Sequence, residues 1–101
     1  MKAKQFSIEV SDDAENDFDK SYEYYLEKSL KIANSFFLSI NICLDNVKQN
    51  PLSFPIAHKD IRKCTVKKFP FVIYYQIEGS IVKLIAIFHT SRNPEIWNER
   101  I

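Results

Sequence analysis

Ile61-Arg62-Lys63-Cys64-Thr65-Val66-Lys67-Lys68-Phe69-Pro70-Phe71-Val72-Ile73-Tyr74-Tyr75-Gln76-Ile77-Glu78-Gly79-Ser80-Ile81-Val82-Lys83-Leu84-Ile85-Ala86-Ile87-Phe88 holds three strand-length runs and two turn signals. The runs cover about 61–69, 71–78 and 81–88, with Pro70 and Gly79-Ser80 at the turns. The last two are rich in Val, Ile, Tyr and Phe on both faces, the pattern of strands in the middle of a sheet. Alternation groups Phe71, Ile73, Tyr75 and Ile77 on one face of the first of them. Val82, Leu84, Ala86 and Phe88 are grouped in the same way on the next.

Upstream, Phe6, Ile8 and Val10 alternate with Gln5, Ser7 and Glu9, which predicts a half-buried strand over 5–10. Ser11 is placed to cap a helix whose first turn carries Asp12, Asp13 and Glu15, where the helix dipole favours negative charge. Its apolar face is Ala14, Phe18, Tyr22, Tyr25 and Leu26, and it ends near Lys28. Ser29 caps a second helix with a wide stripe of Ile32, Ala33, Phe36, Phe37, Ile40, Cys43, Leu44 and Val47, stopped by Asn50-Pro51. So short a connection makes the helices antiparallel neighbours. Residues 51–59 have two prolines and no period, and read as a loop back to the sheet. The order β-α-α-β-β-β describes one α+β domain over residues 1–101.

A chain of 101 residues, 46% apolar and 14% aromatic, fills one core. No apolar run is long enough and free enough of charge to span a membrane, so a soluble, cytoplasmic protein with no membrane partner is expected. The net charge of +1 conceals an asymmetry. Residues 1–58 carry six Lys against nine Asp or Glu, while 59–101 carry eight Lys or Arg against four acids. The basic half is a candidate surface for phosphates or acidic partners.

On the 61–69 strand Lys63, Thr65 and Lys67 share a face, opposite Cys64 and Val66, with Arg62 and Lys68 near the ends. One reading is a solvated edge strand guarded by lysines; the other is a cationic surface for a target. His89, Arg92 and Trp97 cluster after the last strand, with Pro94 suited to a first helical turn. His89 has the chemistry of a general acid or base, Arg92 of an anion holder, and Trp97 of a stacking platform. The same three residues equally describe a structural lock on the C-terminal segment. Cys43 and Cys64 are far apart in sequence, indicate neither a disulfide framework nor a zinc knuckle, and read as small core residues. His58, Cys64 and His89 match no usual metal spacing, so no metal is expected. With a single glycine and no catalytic pairing of Ser, Cys, His and carboxylates in view, no cofactor is expected either.

The basic strand, the Phe69-Pro70-Phe71 corner, the Tyr74-Tyr75 strand and the ending His89-Thr90-Ser91-Arg92-Asn93-Pro94-Glu95-Ile96-Trp97 resemble the RelE/ParE superfamily of small bacterial toxins, in its ParE-like, plasmid-stabilisation branch. The resemblance covers nearly the whole chain. It implies a helical hairpin packed on a small antiparallel sheet, and a toxin of a type II toxin-antitoxin system that acts on DNA gyrase and is neutralised by a cognate antitoxin protein. The target- or phosphate-binding candidates are then Arg62, Lys63, Lys67, Lys68, Arg92 and Trp97. The alternative is the branch that cleaves ribosome-bound mRNA, a metal-free endoribonuclease for which His89, Arg92 and Tyr75 are the catalytic candidates. That branch typically places an arginine after the aromatic that opens the third strand, where this chain has Val72, and a catalytic Tyr or His near the C-terminus. Here the chain ends four residues after Trp97. A third reading is a toxin-fold module that only binds antitoxin. Tyr22, Tyr25 and Phe37 are candidates either for a groove that receives such a partner or for the core.

Overall fold

The computed structural model describes residues 5–92 and 99–101. Its elements are β1 (Ser7–Val10), α1 (Asp12–Lys28), α2 (Leu30–Gln49), a short 3-10 turn (Pro51–Ser53), β2 (Ile56–His58), β3 (Ile61–Thr65), β4 (Phe71–Glu78) and β5 (Ile81–His89). Ser11 Oγ accepts from Ala14 N, and Ser29 Oγ from Ile32 N, so both helices start at their expected caps. The strands form one sheet in the order β1-β5-β4-β3-β2. β5, β4, β3 and β2 each run antiparallel to the next, and β1 adds to β5 in parallel. β4 and β5 are therefore central, as their two-sided apolar character requires.

Both helices pack on one face. α1 lies against β5 and α2 against β3. The core between them holds Ala14, Phe36, Ile40, Cys43, Val47, Cys64, Val66, Phe71, Ile73, Tyr75, Val82, Leu84 and Ile87. Phe36 is its hub: the ring is fully buried and lies 4.9–5.7 Å from those of Phe18, Tyr25, Phe69 and Phe71. Such aromatic contacts add about 0.5–1.5 kcal/mol per pair beyond the area they bury. At the β4–β5 turn Gly79 has φ +61°, a conformation that side chains resist, although a Cβ there would meet nothing within 4 Å.

Four expectations are corrected. Residues 56–58 form an edge strand rather than loop, so β3 is an interior strand and the lysine-guarded edge reading does not apply to it. β3 ends at Thr65, because Lys68 turns the chain with φ +72°. Register shifts between Tyr74 and Tyr75, where Tyr74 faces Ala86 and Tyr75 faces Leu84, leaving Ile85 as the extra residue of a bulge. Val82 and Leu84 thus face the helices, while Ile85, Ala86 and Phe88 join Ile61 and Tyr74 on the opposite face. Finally, Cys43 and Cys64 are joined as a disulfide, since residue 43 of α2 faces the sheet directly over β3.

Candidate functional site: a basic corner and an arginine clamp

The segment between β3 and β4 is built by its aromatics. The Phe69 ring meets those of Phe36 and Tyr25 edge-on at 5.3 and 5.2 Å, and Phe71 is buried in the core. Pro70, between them, presents its carbonyl to Thr90 N at 2.8 Å. With residues 69–71 fixed, Lys67 and Lys68 are left on the outside of the bend, both exposed. Lys68 pays for this with a left-handed backbone, which costs a non-glycine residue about 1 kcal/mol or more. Lys63 also points to solvent. Among the described residues Lys63, Lys67 and Lys68 have no ion-pair partner. They are three uncommitted cations on a rigid frame.

Lys67 and Lys68 also edge a groove of about 320 Å³ between α2 and β3. Leu38 and Ile42, one helical turn apart and 60% and 55% exposed, form its α2 wall. Phe37, one of the expected groove residues, is half exposed but lies elsewhere on α2, its ring packed edge-on to that of Phe18 with centroids 6.0 Å apart. Tyr22 and Tyr25 are partly buried against the core. Leu38 and Ile42 lie outside the apolar stripe of α2 yet are themselves apolar, and that is the sequence signal of the groove.

Arg62 is not part of this free surface. Its guanidinium donates to the carbonyls of Phe54 and Leu52 at 2.6 and 3.2 Å, holding the loop after α2 against β3. Tyr75 has the same task from β4, donating its fully buried hydroxyl to Pro51 O at 2.6 Å. Burial pushes that hydroxyl up to about 12, against the opposing pull of Arg62. Tyr75 at neutral pH is therefore a neutral, committed donor.

At the end of β5, His89 Nδ1 accepts from Ser91 N at 3.1 Å and sits 2.7 Å from Ser91 Oγ. An acceptor at Nδ1 puts the ring proton on Nε2. Arg92 lies 3.7 Å from Asp17 and stacks 4.2 Å from the Phe88 ring. Arg100 completes the arrangement. It donates to both Asp17 oxygens at 2.6 and 3.1 Å and to Ile85 O at 3.1 Å, with its guanidinium 4.8 Å from Phe88. The Asp17 hydrogen bonds raise the Arg100 pKa further, so its charge is permanent. Asp17 is 7% exposed and also accepts from Ile87 N at 3.0 Å, tying α1 to β5 and to the C-terminal residues in one polar knot. Neither Asp17 nor Arg100 was among the expected site residues. Asp17 had one visible sign, a carboxylate three residues after Ala14 on the buried side of α1; Arg100 had none.

The clamp borders a cleft of about 550 Å³ lined also by Lys20, Tyr24, Phe71 and His89. His89 and Arg92 thus share one site, whereas Lys63, Lys67 and Lys68 belong to another. Trp97 and Pro94 lie outside the described residues. The spacing of His58, Cys64 and His89 assembles no metal cluster among the described residues. No helix among them is long and apolar enough to cross a membrane.

No curated protein matches this sequence. Among solved structures, one described as the chromosomal ParDE TA system from P. aeruginosa superposes with a TM-score of 0.75 at 18% identity, covering 86% of this chain and 98% of that one. At that identity the likeness establishes the fold, two helices on a mixed sheet. The sequence model of the ParE toxin of the type II toxin-antitoxin system, parDE, matches residues 8–94, from β1 past the end of β5 but short of Arg100. The chain belongs to the ParE toxin family of type II toxin-antitoxin systems.

Proposed function

We propose that this protein is a growth-inhibiting toxin that acts on DNA gyrase through the basic corner and is silenced by a cognate antitoxin. The observation that carries the reading is the division of labour among its candidate residues. Lys63, Lys67 and Lys68 are exposed and have no ion-pair partner among the described residues, while the residues an RNA-cleaving mechanism would need are occupied. Tyr75 is fully buried on Pro51 O, and the single lone pair of His89 Nδ1 is engaged by Ser91 N, with Ser91 Oγ 2.7 Å away. A general base must present a free lone pair to the 2′-hydroxyl it activates. Neither residue does so without breaking its own hydrogen bonds.

The α2/β3 groove is suited to the antitoxin. Its apolar wall of Leu38 and Ile42 faces a lysine rim, which favours an amphipathic segment with acidic flanks. One observation favours the second reading, cleavage of ribosome-bound mRNA: His89, Arg92 and Lys20 open onto the same cleft, where a phosphate would meet two cations and a ring N–H. The two readings separate when the chain is induced in bacteria without its antitoxin and DNA and protein synthesis are pulse-labelled at once. DNA synthesis failing first is expected. Protein synthesis failing first would transfer the function to the His89 cleft, and no effect on either would leave a module that only binds antitoxin.

A further inference from the structure

Cys43 and Cys64 form the floor of the α2/β3 groove, each 4% exposed, with Cα atoms 6.8 Å apart and 21 residues apart in sequence. The bond crosses between the helical layer and the sheet. It also joins the two walls of the groove, because α2 carries Leu38 and Ile42 and the chain after Cys64 carries Lys67 and Lys68.

α2 is already seated by Ala33, Phe36, Ile40 and Val47, all buried, and thiols at positions 43 and 64 are themselves small apolar fillers of the same core. On that packing, the oxidised and reduced chains are expected to share one architecture and to differ in how firmly α2 is tied to β3. The groove gives a small reagent a way in to sulfurs that are otherwise enclosed. Its lysine rim attracts an anionic one.

We propose that Cys43–Cys64 is a reversible thiol–disulfide site, closed and opened by exchange with small anionic disulfides and thiols of the glutathione class. In closing, one cysteine thiolate attacks a sulfur of R–S–S–R; that S–S bond breaks, a mixed disulfide forms and one thiolate R–S⁻ leaves. The second cysteine thiolate attacks the protein sulfur of the mixed disulfide, the internal bond forms and the second R–S⁻ leaves. Both leaving groups take up the protons released by the cysteines, giving two R–SH. The cysteine pair loses two electrons and the reagent gains them. Opening is the reverse. The closed state fixes the separation of the groove walls and restricts the unfolded chain, so it resists unfolding more strongly.

The site stands on the fold alone and does not depend on the gyrase reading. The purified 101-residue chain is equilibrated in glutathione buffers from fully reduced to fully oxidised, acid-quenched, and read by intact mass, thiol titration in denaturant and melting curves. The expected oxidised product has lost two titratable thiols and two hydrogen atoms, carries no glutathione, and melts roughly 10–20 °C above the reduced chain. Returning it to reducing buffer restores both thiols and the lower melting point without denaturant. Glutathione adducts in place of the internal bond, a bond that is reduced only in denaturant, or equal melting points would overturn the assignment. Cys43→Ala and Cys64→Ala should each melt at one temperature in both buffers, and a redox-dependent melt in either would also overturn it. The comparison of oxidised with reduced wild type needs no substitution, so the test survives if a variant fails to fold.

Discussion

The arginine clamp and the basic corner carry the same charge on the two flanks of β4, the clamp along β5 and the corner along β3, and they use it in opposite ways. Arg92 and Arg100 are spent on Asp17, on the Ile85 carbonyl and on the Phe88 ring. Lys63, Lys67 and Lys68 contact no acid among the described residues. The clamp neutralises a carboxylate that folding has buried. The corner instead uses aromatic anchoring and a left-handed Lys68 to hold cations where the fold has no use for them. A basic residue near a cleft is therefore weak evidence of recognition until its partners are known. Arg62 makes the same point within a single strand, because it neighbours Lys63 in sequence yet is bound to two carbonyls.

The largest effect that would sharpen this contrast is expected at Asp17. Asp17→Ala removes the buried carboxylate shared by two guanidiniums, leaving Arg100 only the exposed carboxylate of Asp13 at 3.8 Å among the described residues, and strands the Ile87 N–H without its acceptor. Loss of one partner of a buried pair of this kind costs about 3–5 kcal/mol, to be read from urea unfolding curves. A loss under about 1 kcal/mol would mean that the knot is no more than a surface ion pair.

Tyr75→Phe is the next step down. It strands the Pro51 carbonyl and should cost about 1–2 kcal/mol. It has a pH signature as well. The folded-state pKa is raised from 10.0 to about 12, so the neutral hydroxyl contributes its full stability below pH 10 and loses it as pH rises through about 12. Stability of the variant should fall less steeply between pH 10 and 12 than that of the wild type. Tyr25 and Tyr74, also raised by burial, keep the slope from vanishing. Equal slopes would place the Tyr75 hydroxyl in water.

The smallest and most diagnostic change is Lys68→Gly. Glycine accepts φ +72° without strain but has more freedom to lose on folding, so the net gain should be about 0.5–1 kcal/mol in urea unfolding. A variant that is more stable yet less toxic would separate the role of the corner from that of the clamp in one substitution.

How far the sequence foretold this arrangement depended on the range of the interaction. Ser11, Ser29, Asn50-Pro51 and Gly79 marked their element ends within a residue or two, because caps and turns are set by local chemistry. β2 escaped notice since Ile56-Ala57-His58 is too short to show a period and follows Pro55. The bulge at Ile85 was invisible in a run where every residue from Leu84 to Phe88 is apolar, so no alternation records the change of face. The basic character of the corner was legible in Lys63, Lys67 and Lys68, but the separation of Arg62 from them was not. It rests on hydrogen bonds across eight and ten residues. Asp17 and Arg100 meet across 83 residues, and Cys43 and Cys64 across 21, distances at which a single sequence shows no pairing.

The most direct test is growth arrest by the triple variant Lys63→Ala, Lys67→Ala, Lys68→Ala, induced without antitoxin, beside the urea unfolding curve of the same protein. These side chains are exposed and have no ion-pair partner among the described residues, so stability should change by no more than about 0.5 kcal/mol per site while growth arrest is lost. Full growth arrest from a stable triple variant would contradict the account and move the working surface to the cleft of His89 and Arg92.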